Sequence, residues 1–156
     1  MSQNITNEDF TKVAAFIGNQ SAYTDMEGYG YFASYSSLHP RINGDHPDNS
    51  FSEVPYEKGF QLLHYIESLI GETNMRELLN EWVLQNTYQS RKWNDFRDKY
   101  ESFVDENFSS SEARQLKLKV DWVTWVYYAG LAPVYQDFTT SLLNESIALA
   151  NGYIER

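Results

Sequence analysis

The sequence predicts an all-α protein, and three observations carry that prediction. Apolar residues recur at intervals of three and four, as in Phe60, Leu63, Ile66 and Ile70. Everything long and periodic follows this helical spacing, and residues that start or stop helices (Pro55, Gly71, Gly130, Pro133) punctuate it. The chain has 156 residues, no internal repeat and no low-complexity tract, which is the size of one domain with a real core.

Taken in order, Thr6-Asn7-Glu8-Asp9 offers an N-cap, and Phe10, Val13, Ala14 and Ile17 then follow at helical spacing to about Met26. Residues 28–51 are rich in glycine, proline and small polar residues, predicting a long ordered loop with a short strand near Tyr31–Tyr35. Ordered loops of this length often line a site. Ser52 is a suitable N-cap for the next helix, with Pro55 in its first turn and Gly71 as its stop. That helix carries the stripe named above, with Leu62 and Leu69 beside it.

A further helix is expected over 73–87 with Leu78, Leu79, Trp82 and Val83 inward, and another over 92–104 with Trp93, Phe96, Tyr100 and Phe103. Ser109 to Glu112 punctuates the chain. VDWVTWVYYAGLAP reads as a short helix over Val120–Tyr128 ended by Gly130 and Pro133. The last amphipathic helix spans about 137–152, with Leu142, Leu143, Ile147, Leu149 and Ala150 as its apolar residues.

Composition narrows the function. There is no cysteine, which removes disulfides, thiolate metal sites and cysteine nucleophiles. A formal charge of −10 disfavours nucleic acid and anionic membrane as partners, because both need clustered cations. No apolar run reaches the length of a membrane span, and the polar N-terminus MSQNITNEDF resembles no targeting signal, so the expected location is the cytoplasm.

The chain has three histidines, His39, His46 and His64. His39 and His46, with Asp45 and Asp48 nearby, sketch a metal site, but no regular element fixes their spacing. His64 lies mid-helix among apolar neighbours and reads as a half-buried core residue. H-E-x-x-H, the P-loop and G-x-S-x-G do not occur.

Tyr56 is the other candidate. A phenol of ordinary pKa ~10 is protonated at neutral pH and can donate to an oxyanion forming on an attacked carbonyl. A first-turn tyrosine can equally be a packed aromatic, and the residues alone leave both readings open. Glu57-Lys58 reads as a solvated face or an ion pair, and Gly59 as a point of close helix approach.

VPYEKGFQLLHYIESLIG (54–71), DHPDNSFSEVPYEKG (45–59), VDWVTWVYYAGLAP (120–133) and the tail SLLNESIALANGYI resemble zinc aminopeptidases of peptidase family M1, in the leukotriene A(4) hydrolase/aminopeptidase branch. The resemblance implies an irregular helical array like the α-helical lobe of a thermolysin-like catalytic domain. On it, 1–133 is the C-terminal half of that domain, and 134–156 is a linker plus the first helix of a following helical domain.

The resemblance also implies roles. Tyr56 stands at the catalytic tyrosine, Asp48 at a loop aspartate near substrate, and Pro47, Val54 and Pro55 on the pocket wall. Phe51 stands where the branch has a second active-site tyrosine, which weakens the case for epoxide hydrolysis more than for peptidase chemistry. The family's zinc ligands and its G-x-M-E-N loop fall upstream of the matched part, so zinc is implied for the complete family enzyme and no metal ligand is assigned here. The implied function is a fragment or subunit of a peptide-hydrolysing enzyme, inactive alone, partnered by a zinc-binding half or a second copy. The alternative is a non-catalytic helical scaffold derived from that family.

Overall fold

The computed structural model describes residues 7–154, and the N-cap expected at Thr6 lies outside them. Seven α-helices form among the described residues: α1 (Asn7–Tyr29), α2 (Val54–Ile70), α3 (Glu72–Gln85), α4 (Trp93–Asn107), α5 (Ser110–Lys119), α6 (Trp122–Tyr127) and α7 (Ser141–Ile154). Two 3-10 turns, Ser34–Ser36 and Pro47–Ser50, interrupt the loop between α1 and α2.

Helices α2 to α6 enclose the main core, in which Ile66, Leu78, Tyr100, Phe103, Val104 and Trp125 are fully or almost fully buried. Each large apolar side chain removed from water contributes about 1.5–3 kcal/mol. Aromatic edges tie the helices together. Trp122 meets both Phe96 and Tyr100 edge-on, Tyr65 stacks on Trp125, and the Tyr100 hydroxyl donates to the Leu116 carbonyl at 3.2 Å. Gly71 ends α2 with φ 85°, and its amide donates back to Glu67 at 2.7 Å.

Several expectations are corrected. The strand near Tyr31–Tyr35 does not form, because the backbone folds back on itself. Ala33 donates to Gly30, Ser36 donates to Ala33, and Gly30 sits at φ 94°. The inward face of α1 carries Ala15, Ala22 and Met26, whereas Phe10 and Ile17 are exposed. Small side chains let α1 lie close on α2. A Cβ on Gly18 would stand 2.1 Å from the Glu57 carboxylate, while one on Gly59 would meet only Leu38 at 3.8 Å. The close approach is therefore at Gly18, not Gly59.

In α3, Met75 and Leu78 are buried while Val83 is exposed. The Ser109–Glu112 punctuation is the capping box of α5: Ser109 Oγ accepts from the Glu112 amide, and the Glu112 carboxylate accepts from the Ser109 amide. In α7, Leu143 is buried, but Ile147 and Leu149 face outward.

The start of α2 is built by two elements. Its N-cap is Glu53 rather than Ser52, and Pro55 falls in the first turn as expected. Ser52 Oγ accepts from the Val54 amide at 3.3 Å, while the Glu53 amide donates to Asp25 of α1 at 2.7 Å. Helix α1 thus supplies a carboxylate to the positive end of α2.

Candidate functional site

The first turn of α2 opens onto a cleft of about 530 Å³ lined by Pro40, Pro47, Asp48, Ser50, Phe51, Pro55 and Tyr56. The 46–51 segment is held by its own short bonds. His46 Nδ1 accepts from the Asp48 amide at 3.3 Å, Ser50 Oγ donates to the Pro47 carbonyl at 2.7 Å, and the Phe51 amide donates to Asp48 at 3.2 Å. The Tyr29 hydroxyl of α1 donates to the Phe51 carbonyl at 3.2 Å and pins the end of the segment.

Tyr56 is 59% exposed, and the Phe51 ring stands edge-on to it at 6.2 Å. A phenol so placed is free to donate to a ligand in the cleft. The structure brings Tyr56, Asp48, Pro47, Phe51 and Pro55 together, and it places Val54 elsewhere. Val54 is fully buried against Ala22 and Met26, so it backs the wall without forming part of it.

The sketched metal set does not assemble. The His39 ring packs on Tyr127 at 5.4 Å, His46 caps the 3-10 turn, and Asp45 accepts from the Tyr35 hydroxyl. That carboxylate holds the Tyr35 phenol above its ordinary range. His64 is half-buried, as expected, between Phe60 and Phe138 and hydrogen-bonded to Gln136.

Sequence reasoning missed Lys58. It is fully buried, and its Nζ donates to the carbonyls of Tyr128 at 2.7 Å and Gly130 at 2.9 Å. Burial pushes its pKa down to about 8. A signal was available: position 58 falls on the inward line of Val54, Leu62 and Ile66. Its neighbour Glu57 points toward α1, and burial, followed by the nearby Glu53, raises its pKa.

The sequence profile of the peptidase family M1 domain matches residues 4–125. The chain belongs to peptidase family M1. It is 34% identical over 146 residues to leucine aminopeptidase 2 of Ajellomyces capsulatus, covering 94% of this chain and 23% of that protein. It is 32% identical over 146 residues to a leukotriene A-4 hydrolase homolog of Botryotinia fuckeliana, covering 94% of this chain and 22% of that protein. The structure of yeast leukotriene A4 hydrolase in complex with bestatin superposes with a TM-score of 0.82 at 27% identity, over 95% of this chain and 23% of that one. This M1 chain therefore spans less than a quarter of the length of these relatives.

Zinc sites need three or four nitrogen, oxygen or sulfur donors in one place. Among the described residues no group of three or more His, Cys, Asp or Glu side chains is so arranged. The described part of this M1 chain does not fit the zinc that the family implies.

Proposed function

We propose that this M1 chain supplies one wall of an aminopeptidase cleft, with Tyr56 donating a hydrogen bond to the oxyanion formed when a peptide carbonyl is attacked. The observation that carries the reading is the cleft itself. Tyr56, Asp48, Pro47, Phe51 and Pro55, each singled out by family resemblance, line one cavity.

The chemistry follows from the groups. The Tyr56 phenol sits in the first turn of α2, where the helix dipole favours negative charge nearby. One such donor aimed at a developing oxyanion is worth roughly 3 kcal/mol, or about 100-fold in rate. Asp48 offers a carboxylate at the rim to accept from a substrate N–H or ammonium. Pro47 and Pro55 give rigid walls, and the Phe51 ring an apolar one without a second hydroxyl. The water nucleophile and its metal come from a zinc-bearing portion outside the described residues, so these residues by themselves do not hydrolyse peptides.

In the same reading, 1–133 belongs to the catalytic domain and 134–156 begins the next helical unit. Cytoplasmic location is part of it too; no described helix is long and apolar enough to cross a membrane.

The test assembles the chain with the zinc-bearing portion of an M1 aminopeptidase and follows release of an amino-acid chromophore. Tyr56→Phe is expected to lower kcat about 100-fold with KM little changed. Equal rates for the two proteins would sink the oxyanion role. Zinc-dependent turnover by the chain alone would overturn the incomplete-site reading. The lack of a metal-binding group among the described residues also favours a second reading, a non-catalytic helical scaffold. In that case the assembled sample shows no turnover with either residue at 56.

A further inference from the structure

We propose that Lys58 is the positioning residue of the Tyr56 cleft, tying the first turns of α2 to the backbone that carries the facing wall. This inference rests on the reading of Tyr56 as the oxyanion donor.

Lys58 lies two residues beyond Tyr56 and is fully buried. Its amine donates to the main-chain carbonyls of Tyr128 and Gly130 rather than to any carboxylate. The 128–130 turn is itself fastened to the loop that bounds the cleft. The Gly130 amide donates to the Ser36 carbonyl at 3.0 Å, and the His39 amide donates to the Val126 carbonyl at 3.0 Å. Pro40, next in the chain, lines the cleft with Tyr56. A continuous path of short bonds thus runs from the tyrosine's own helical turn to the wall beside it.

The turn has little freedom to adjust. Gly130 holds φ 86°, and a Cβ there would come within 3.0 Å of the Tyr31 carbonyl oxygen. Anchoring to carbonyls fixes backbone directly, where an ion pair would fix only the ends of two side chains. An oxyanion donor needs that precision, since productive geometry is held to about 0.5 Å. The clamp also survives titration of Lys58 near pH 8, because a neutral amine retains two N–H donors for its two carbonyls.

The absence of cysteine in the chain makes a clean test possible. In the assembly with a zinc-bearing portion, kcat and KM are measured for the unaltered chain, Tyr56→Phe, Lys58→Met and the double variant. Lys58→Cys, aminoethylated in denaturant and refolded, restores an amine of lysine length; its S-propyl counterpart does not.

If Lys58 acts through Tyr56, Lys58→Met lowers kcat at least 10-fold with KM changed less than 2-fold. The double variant is then no slower than Tyr56→Phe, and the aminoethyl protein recovers while the propyl protein does not. Independent, multiplying losses in the double variant would overturn the positioning role while leaving Tyr56 intact. An unimpaired Tyr56→Phe would remove the underlying reading and the inference with it. Should Lys58→Met not fold, Lys58→Gln, which keeps an N–H donor group on a shorter, uncharged side chain, takes its place in the same cycle with the same criteria.

Discussion

Raising the pH from 7 to 9.5 is expected to stabilise the protein through Lys58. The folded state holds this amine near pKa 8, below its ordinary 10.5, because burial penalises the ammonium. Between those values the unfolded chain binds more protons than the folded one, so stability rises with pH. Below pH 8 the penalty is fully present, at roughly 3 kcal/mol for a displacement of this size. Working the two titrations through gives a gain of roughly 2 kcal/mol between pH 7 and 9.5. The assay is urea unfolding of the unaltered protein and Lys58→Met across that range. Every other titratable group is common to both proteins and cancels in the difference. The unaltered protein should gain on the variant as the pH rises. Parallel stability curves would refute a buried, depressed lysine.

Phe103, fully buried between the helices of the core, should cost about 3–5 kcal/mol when replaced by alanine, read as a lower urea midpoint. Gly130→Ala should destabilise by at least about 1–3 kcal/mol, since the left-handed φ and the 3.0 Å approach to Tyr31 both oppose a side chain; thermal unfolding measures it. Ser109→Ala removes half of the capping box of α5 and should cost about 1 kcal/mol, with faster amide exchange confined to the first turn of that helix.

The parts of the fold that were legible in the sequence are those where large apolar residues mark the buried face. The α2 stripe ends at a glycine whose φ 85° suits no other residue well, and Tyr100 and Phe103 mark the inward face of α4. The inward face of α1 was less legible because side-chain size does not mark it. Its buried side chains are two alanines and a methionine, chosen by how close α2 lies, while the bulky Phe10 and Ile17 face out. Helix α5 buries only Ala113 and Leu116, too few for a periodic signal, yet its capping box was written at Ser109 and Glu112. In the cleft, Tyr56, Asp48 and Phe51 stood out through family resemblance. Lys58 did not, because a charge is expected in water, and the two carbonyls that satisfy it lie 70 and 72 residues away in the chain.

Those long separations have a kinetic consequence. The α2–α3, α3–α4 and α4–α5 packings join neighbours in the chain and need little loop closure before they form. The bonds that tie the cleft together instead bridge Lys58 to Tyr128 and Gly130, 70 and 72 residues away, so each must close a long loop. The helical core is expected to condense first and the cleft to set last. Pulse-labelled hydrogen exchange during refolding would then show the amides of Tyr100 and Phe103 protected before those of His39 and Gly130. The same order run backwards has the cleft open before the helical core.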